Sequence, residues 1–188
     1  MMNHPITNTK YSYGMVTKIF HLLMSLSFLL VLILGYLSAY LLNATQKISP
    51  LYVHKAIGIF IGILTCFWVL WTVNNRLPTH KGILTGSQKV ANKVVKCFLY
   101  MGMIMLPLTG ILLTIFSGEP THVFGLFTIQ GIFPRFDPGL NIFLLSHAYL
   151  SFFLTAIIFL HIAAALKHYL VNKDSVMQRM WSWKNKKE

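Results

Sequence analysis

The stretch LLSHAYLSFFLTAIIFLHIAAALKHYL, residues 144–170, decides the fold. It is almost wholly apolar and exceeds the roughly 20 residues that an α-helix needs to cross a bilayer. It nevertheless carries three histidines, His147, His161 and His168. A polar side chain in hydrocarbon is costly, so its presence there is a pointer to function.

Outward from this stretch, three more runs meet the same length, at about 19–42, 53–73 and 97–116, and the first stretch itself extends over about 142–171. The run at 19–42 is too long for the apolar segment of a leader and lacks a small-residue cleavage site, so it reads as a retained span. The expected fold is all-α: an integral membrane four-helix bundle, one membrane domain over residues 1–188. Composition agrees. The chain is 55% hydrophobic and only 11% charged, with a mean hydropathy of +0.63, too apolar for an ordinary soluble domain of this size. The net charge of +12 is a membrane feature here, because basic loops face anionic lipid; nucleic acid is not an expected partner. Cys66 and Cys97 fit no haem-attachment or zinc spacing and read as small buried hydrophobes.

Four spans place both termini on one side, the terminal face. It receives 13 of the 16 Lys and Arg residues; only Lys47, Lys55 and Arg135 fall on the opposite, distal face. This bias predicts that the terminal face is cytoplasmic and the distal face periplasmic, as in a bacterial inner membrane. Residues 74–96 read as a polar, basic loop with Pro78, Gly82 and Gly86 as breakers. Residues 117–141 include VFGLFTIQGIF, which reads as a surface-hugging segment, an interfacial helix being the form considered. Pro107, mid-span in MLPLTG, predicts a kink.

The histidines then fall into register. His147 and His161 are 14 residues apart, about 21 Å along a helix and roughly 40° short of four full turns, so they share a face at two depths. His21 enters span one from the terminal face, at the depth of His161. His54 enters span two from the distal face, at the depth of His147. Two imidazole pairs follow from topology: His21 with His161, and His54 with His147. An iron porphyrin takes two axial ligands on opposite faces, and imidazole suits iron. Haem pockets between the helices, stacked across the membrane, make an electron wire. The spans carry no carboxylate and there is no HExxH, which weakens transport, proton-relay and metalloprotease readings. Gly58, Gly62, Gly102, Gly110 and Ala163–Ala165 leave room for a macrocycle or for close helix packing. His168, seven residues past His161, lies on nearly the same face near the water boundary. Four roles are open to it: a propionate contact, a donor to a quinone carbonyl, a proton carrier, or a plain interfacial residue. His4, His80 and His122 are assigned no role.

The segments YSYGMVTKIFHLLM, LYVHKAIGI, LPLTG, LSHAYLSF and FLHIAAALKHYLVNKDSVMQRM together resemble the bacterial cytochrome b561 family, from about Tyr11 to Met180. The last segment is the most specific. The resemblance implies a four-span cytochrome with two haem b groups, ligated by His21, His54, His147 and His161. It implies electron exchange with the quinone pool, ubiquinone being the expected substrate, and connects His168 with quinone or proton handling. In one branch of the family the donor is superoxide at the outer face. Two readings of the redox role therefore stand: an oxidoreductase of the superoxide oxidase type, or a haem-containing membrane anchor and relay for a periplasmic redox partner. A non-redox helical protein is the third.

Overall fold

The structure is a computed structural model and describes residues 5–10, 12–78, 84–131 and 134–181. Four helices are long and apolar enough to cross a membrane: Met15–Leu41, Ile48–Asn74, Gly86–Ser117 and Asp137–Asn172. In chain order the elements are α1 (Met15–Tyr36), α2 (Ile48–Asn74), α3 (Gly86–Ser117), β1 (Thr121–Val123), β2 (Phe127–Ile129), α4 (Asp137–Lys167) and a short α5 (Val176–Trp181). α1 and α4 each end in a π-helical turn, Leu37–Leu41 and His168–Asn172.

Neighbours in sequence pack side by side: α1 on α2, α2 on α3, α3 on α4. The fourth side is different. α1 and α4 scarcely meet through their backbones and are spanned instead by long aromatic side chains. Tyr36 stands 5.3 Å from the Phe152 ring and its hydroxyl lies 3.0 Å from Thr155 Oγ1. Thr155 spends its own proton on the Ser151 carbonyl, so Tyr36 is the donor.

The core sits at mid-depth, where Met24, Phe28 and Val31 of α1 meet Ile61 and Leu64 of α2, Leu106 of α3 and Leu154 of α4. Ile61 and Leu154 are each 1% exposed. Close approach depends on small residues, as it must where lipid is as apolar as the interface. A Cβ on Gly62 would stand 3.2 Å from Pro107, and one on Gly102 would drive into Leu154. The outward faces carry Leu29, Ile33, Phe67, Leu70, Leu108 and Phe159, exposed as lipid-facing side chains should be. Cys66 and Cys97 belong to this outer surface; they are exposed rather than buried, because an apolar environment is available on the outside too.

Pro107 has a specific consequence. It has no amide proton, so the Met103 carbonyl four residues earlier loses its helical donor. Thr65 on α2 supplies the replacement, its hydroxyl 3.3 Å from that oxygen. At the terminal face, the Asn8 side chain accepts from the Gly14 amide and the Thr17 hydroxyl, at 2.9 and 2.7 Å, and Trp71 donates to Thr17 at 2.9 Å. The start of α1 is thereby tied to the end of α2.

Two expectations are corrected. Residues 86–96 are helical, not loop: α3 begins about three turns before the apolar run. Its signal is a capping box, Thr85 with Gln88, which hydropathy does not register. The distal segment is a β-hairpin, not an interfacial helix. Val123 pairs with Phe127, Leu126 donates to the Val123 carbonyl, and Phe124 and Gly125 take positive φ of 49° and 73°. That is a type I′ turn, with glycine at one of the two positions that need it. Val123 anchors the hairpin by packing on Ala56 and Ile59 of α2.

Candidate functional site

The structure brings the four span histidines together two by two. The rings of His21 on α1 and His161 on α4 have centroids 6.3 Å apart, tilted by 55°. The rings of His54 on α2 and His147 on α4 are 6.0 Å apart and nearly perpendicular, at 80°. α4 therefore contributes to both pairs, one toward each face, with Leu150, Leu154 and Ile158 of the apolar core between them.

The distal pair is held by the bundle itself. His54 Nδ1 lies 2.8 Å from the Val31 carbonyl of α1. A carbonyl only accepts, so Nδ1 carries the proton and Nε2 keeps a bare lone pair. Gly35, one turn after Val31, makes room: a Cβ there would stand 2.9 Å from His54 Cε1. His147 Nδ1 lies 2.9 Å from Thr109 Oγ1 of α3. The Thr109 proton is directed to the Met105 and Leu106 carbonyls, at 3.0 and 2.9 Å, so Thr109 accepts from His147. Again Nε2 is left free. This is how metal-binding imidazoles are oriented, with one nitrogen donating to the protein and the other available to the metal.

The donor set tests what kind of metal fits. Among the described residues no three His, Cys, Asp or Glu side chains converge, so neither pair can complete the coordination of a bare ion. Two imidazoles suit a metal that brings its remaining ligands with it, as porphyrin iron does. The separations agree. A metal–imidazole bond of about 2 Å puts each ring centre roughly 3 Å from the metal, so an ion shared by two rings needs centroids about 6 Å apart. Gly58, one turn from His54 on α2, meets nothing within 4 Å of where its Cβ would be. Packing does not require that glycine.

His168 opens the π-helical turn at the end of α4, and it has a partner that the sequence did not announce. Its Nδ1 lies 2.5 Å from Asp174 Oδ2. Asp174 Oδ1 also accepts from the Val176 amide at 3.0 Å, and the Asp174 amide donates to the His168 carbonyl at 3.2 Å. Lys173, at a φ of 52°, makes the left-handed step that folds the chain back. Partial burial pushes the Asp174 carboxyl up, but the hydrogen bonds from His168 and Val176 and the His168 charge outweigh it, and the net shift is downward. A depressed carboxylate contributes stability above its unfolded-state value and loses it as pH falls through the folded value. Acidification below the ordinary carboxylate range is therefore expected to loosen α5 from α4, read as faster amide exchange at Val176–Trp181. Asp174→Asn is expected to show the fast exchange already at neutral pH.

Of the histidines without an assigned role, His4 and His80 lie outside the described residues, and His122 on β1 pairs across the hairpin with Thr128 Oγ1 at 2.8 Å. The orienting groups, Val31, Gly35 and Thr109, were not anticipated. Thr109 stands in the LPLTG motif and was visible there; a backbone carbonyl leaves no mark in a sequence.

Comparison with known proteins adds to this geometry. The model of the prokaryotic cytochrome b561 family matches residues 12–183. The chain is also similar to "Cytochrome b561 homolog 2" of Escherichia coli (strain K12), 26% identical over 178 residues and covering 93% of each chain.

Proposed function

The chain belongs to the prokaryotic cytochrome b561 family, a transmembrane b-type cytochrome of electron transfer, and from that premise we propose that it carries electrons across a bacterial inner membrane through two haem b groups. His21 and His161 hold the haem nearer the terminal face; His54 and His147 hold the distal one. The observation that carries this reading is the pair of facing imidazole couples, 6.3 and 6.0 Å apart, at two depths. When bound, each haem supplies a one-electron iron couple.

The chain's own residues do the rest. Val31 and Thr109 fix the distal rings with Nε2 free. Ile61, Leu106 and Leu154 belong to the apolar layer between the pairs. His168 holds a proton at Nδ1 against Asp174, at the face where a quinone would need protons. The excess of basic residues at the terminal face supports a cytoplasmic position for both termini.

The proposed reaction takes electrons from a donor at the distal, periplasmic face and passes them to the quinone pool. With superoxide as donor, two anions each give up one electron and leave as O2, and ubiquinone takes two electrons and two protons. Purified protein in vesicles, given superoxide outside and ubiquinone in the bilayer, is expected to form quinol. A rate no greater than that of haem-free protein would remove the superoxide version. A second reading is favoured by the hairpin tip, where Phe124, Leu126 and Phe127 are exposed at the distal face. There the donor is a periplasmic redox protein docked on the tip, and co-purification lost on Leu126→Asp would mark that case.

A further inference from the structure

The terminal-face imidazole pair is approached by a lysine of α3, Lys96. The antiparallel register of α3 and α4 sets Thr109 on His147 and Gly102 on Leu154. Continued seven residues toward the terminal face, it sets Val95 level with His161, and Lys96 is the next residue of α3. Lys96 is half-buried, and its ammonium is within electrostatic reach of the His161 ring.

Nothing in the described chain answers this charge. The chain has four acids. Glu119 and Asp137 lie at the distal end of the bundle, Asp174 is engaged by His168 and the Val176 amide, and Glu188 is outside the described residues. Neither the Arg135–Asp137 nor the His168–Asp174 ion pair involves Lys96. A partly desolvated ammonium without an anion is unfavourable. An apolar residue would avoid that penalty at position 96, where both chain neighbours, Val95 and Cys97, are apolar. Lys93, one turn closer to water, is by contrast exposed and can be solvated without a partner.

Building on the proposed terminal-face haem, we propose that Lys96 is the seat for a carboxylate on the edge of that porphyrin. Haem b carries two propionates, and an anion at a membrane boundary gains most from a cation that is itself partly desolvated. The seat ties the haem to α3, the one membrane-spanning helix that gives neither pair a ligand. It also places a positive charge near the terminal-face iron, which favours the reduced state of that haem.

The test uses full-length protein loaded with haem and, separately, with haem dimethyl ester, whose propionates are masked. Two quantities are read: the rate of haem loss to an external apoprotein and the midpoint potential of each haem. The terminal-face haem is identified as the one missing from His21→Ala. In Lys96→Met that haem is expected to leave about tenfold faster, the scale of one charge-assisted hydrogen bond, and its potential to fall. The distal haem stays as it was, Lys96→Arg keeps wild-type behaviour, and Lys93→Met changes neither quantity. Wild-type protein loaded with the ester should reproduce Lys96→Met, an arm that does not depend on any variant folding. Unchanged retention and potential in Lys96→Met would overturn the proposal. So would an equal effect of Lys93→Met, or a Lys96→Met effect undiminished in ester-loaded protein. A wild-type protein that takes up no haem counts instead against the function proposed above.

Discussion

His147→Ala is expected to leave about one haem per chain in place of about two, with the terminal-face haem intact. His147 is the α4 half of the distal pair, and without it His54 faces no second imidazole. The fold should survive. Thr109 directs its proton into its own helix, so losing the His147 contact strands no buried donor. Groups that merely orient a metal ligand cost about 10- to 100-fold in affinity or activity when removed, so loss of the ligand itself should sit at or beyond that limit. Electron transfer from distal donor to quinone is expected to drop by at least about a hundredfold, while dithionite still reduces the remaining haem. Added imidazole should restore part of the missing absorbance.

The second large effect is expected at a residue that touches no metal. In Gly35→Val the first added carbon already lies 2.9 Å from His54 Cε1 and 3.1 Å from Nδ1, inside ordinary contact. The ring has to turn or retreat, and its 2.8 Å bond to the Val31 carbonyl breaks. Both the position of Nε2 and the tautomer that frees it are lost together. Gly35→Val should therefore lose most of the distal haem and resemble His54→Ala in its difference spectrum. Gly86→Ala, at the start of α3 where a Cβ meets nothing, should be spectrally silent.

These two sites show what could and could not be read from the residues. The spans were legible because lipid demands long apolar runs, and the pairing of His21 with His161 and His54 with His147 because depth follows from span direction. Gly35 was not legible: its role depends on α2 approaching α1 closely enough for His54 to reach a backbone carbonyl. The start of α3 was missed because SQKVANKVVK is helical by capping and tertiary support, outside the apolar run. VFGLFTIQGIF suits a hairpin and an interfacial helix equally in composition. The turn at Phe124 and Gly125 and the burial of Val123 on α2 decide it. The His168–Asp174 contact required a π-helical turn and a left-handed residue, neither of which has a strong sequence signature.

The central claim is that one haem iron lies between each facing pair, and haem content of double variants tests it most directly. Measured as haem per purified chain with a reduced-minus-oxidised spectrum, His21→Ala/His161→Ala and His54→Ala/His147→Ala should each retain about one haem, a different one in each. His21→Ala/His54→Ala should retain none. One haem surviving in His21→Ala/His54→Ala, or a wild-type protein with no b-type absorbance at all, would contradict the account.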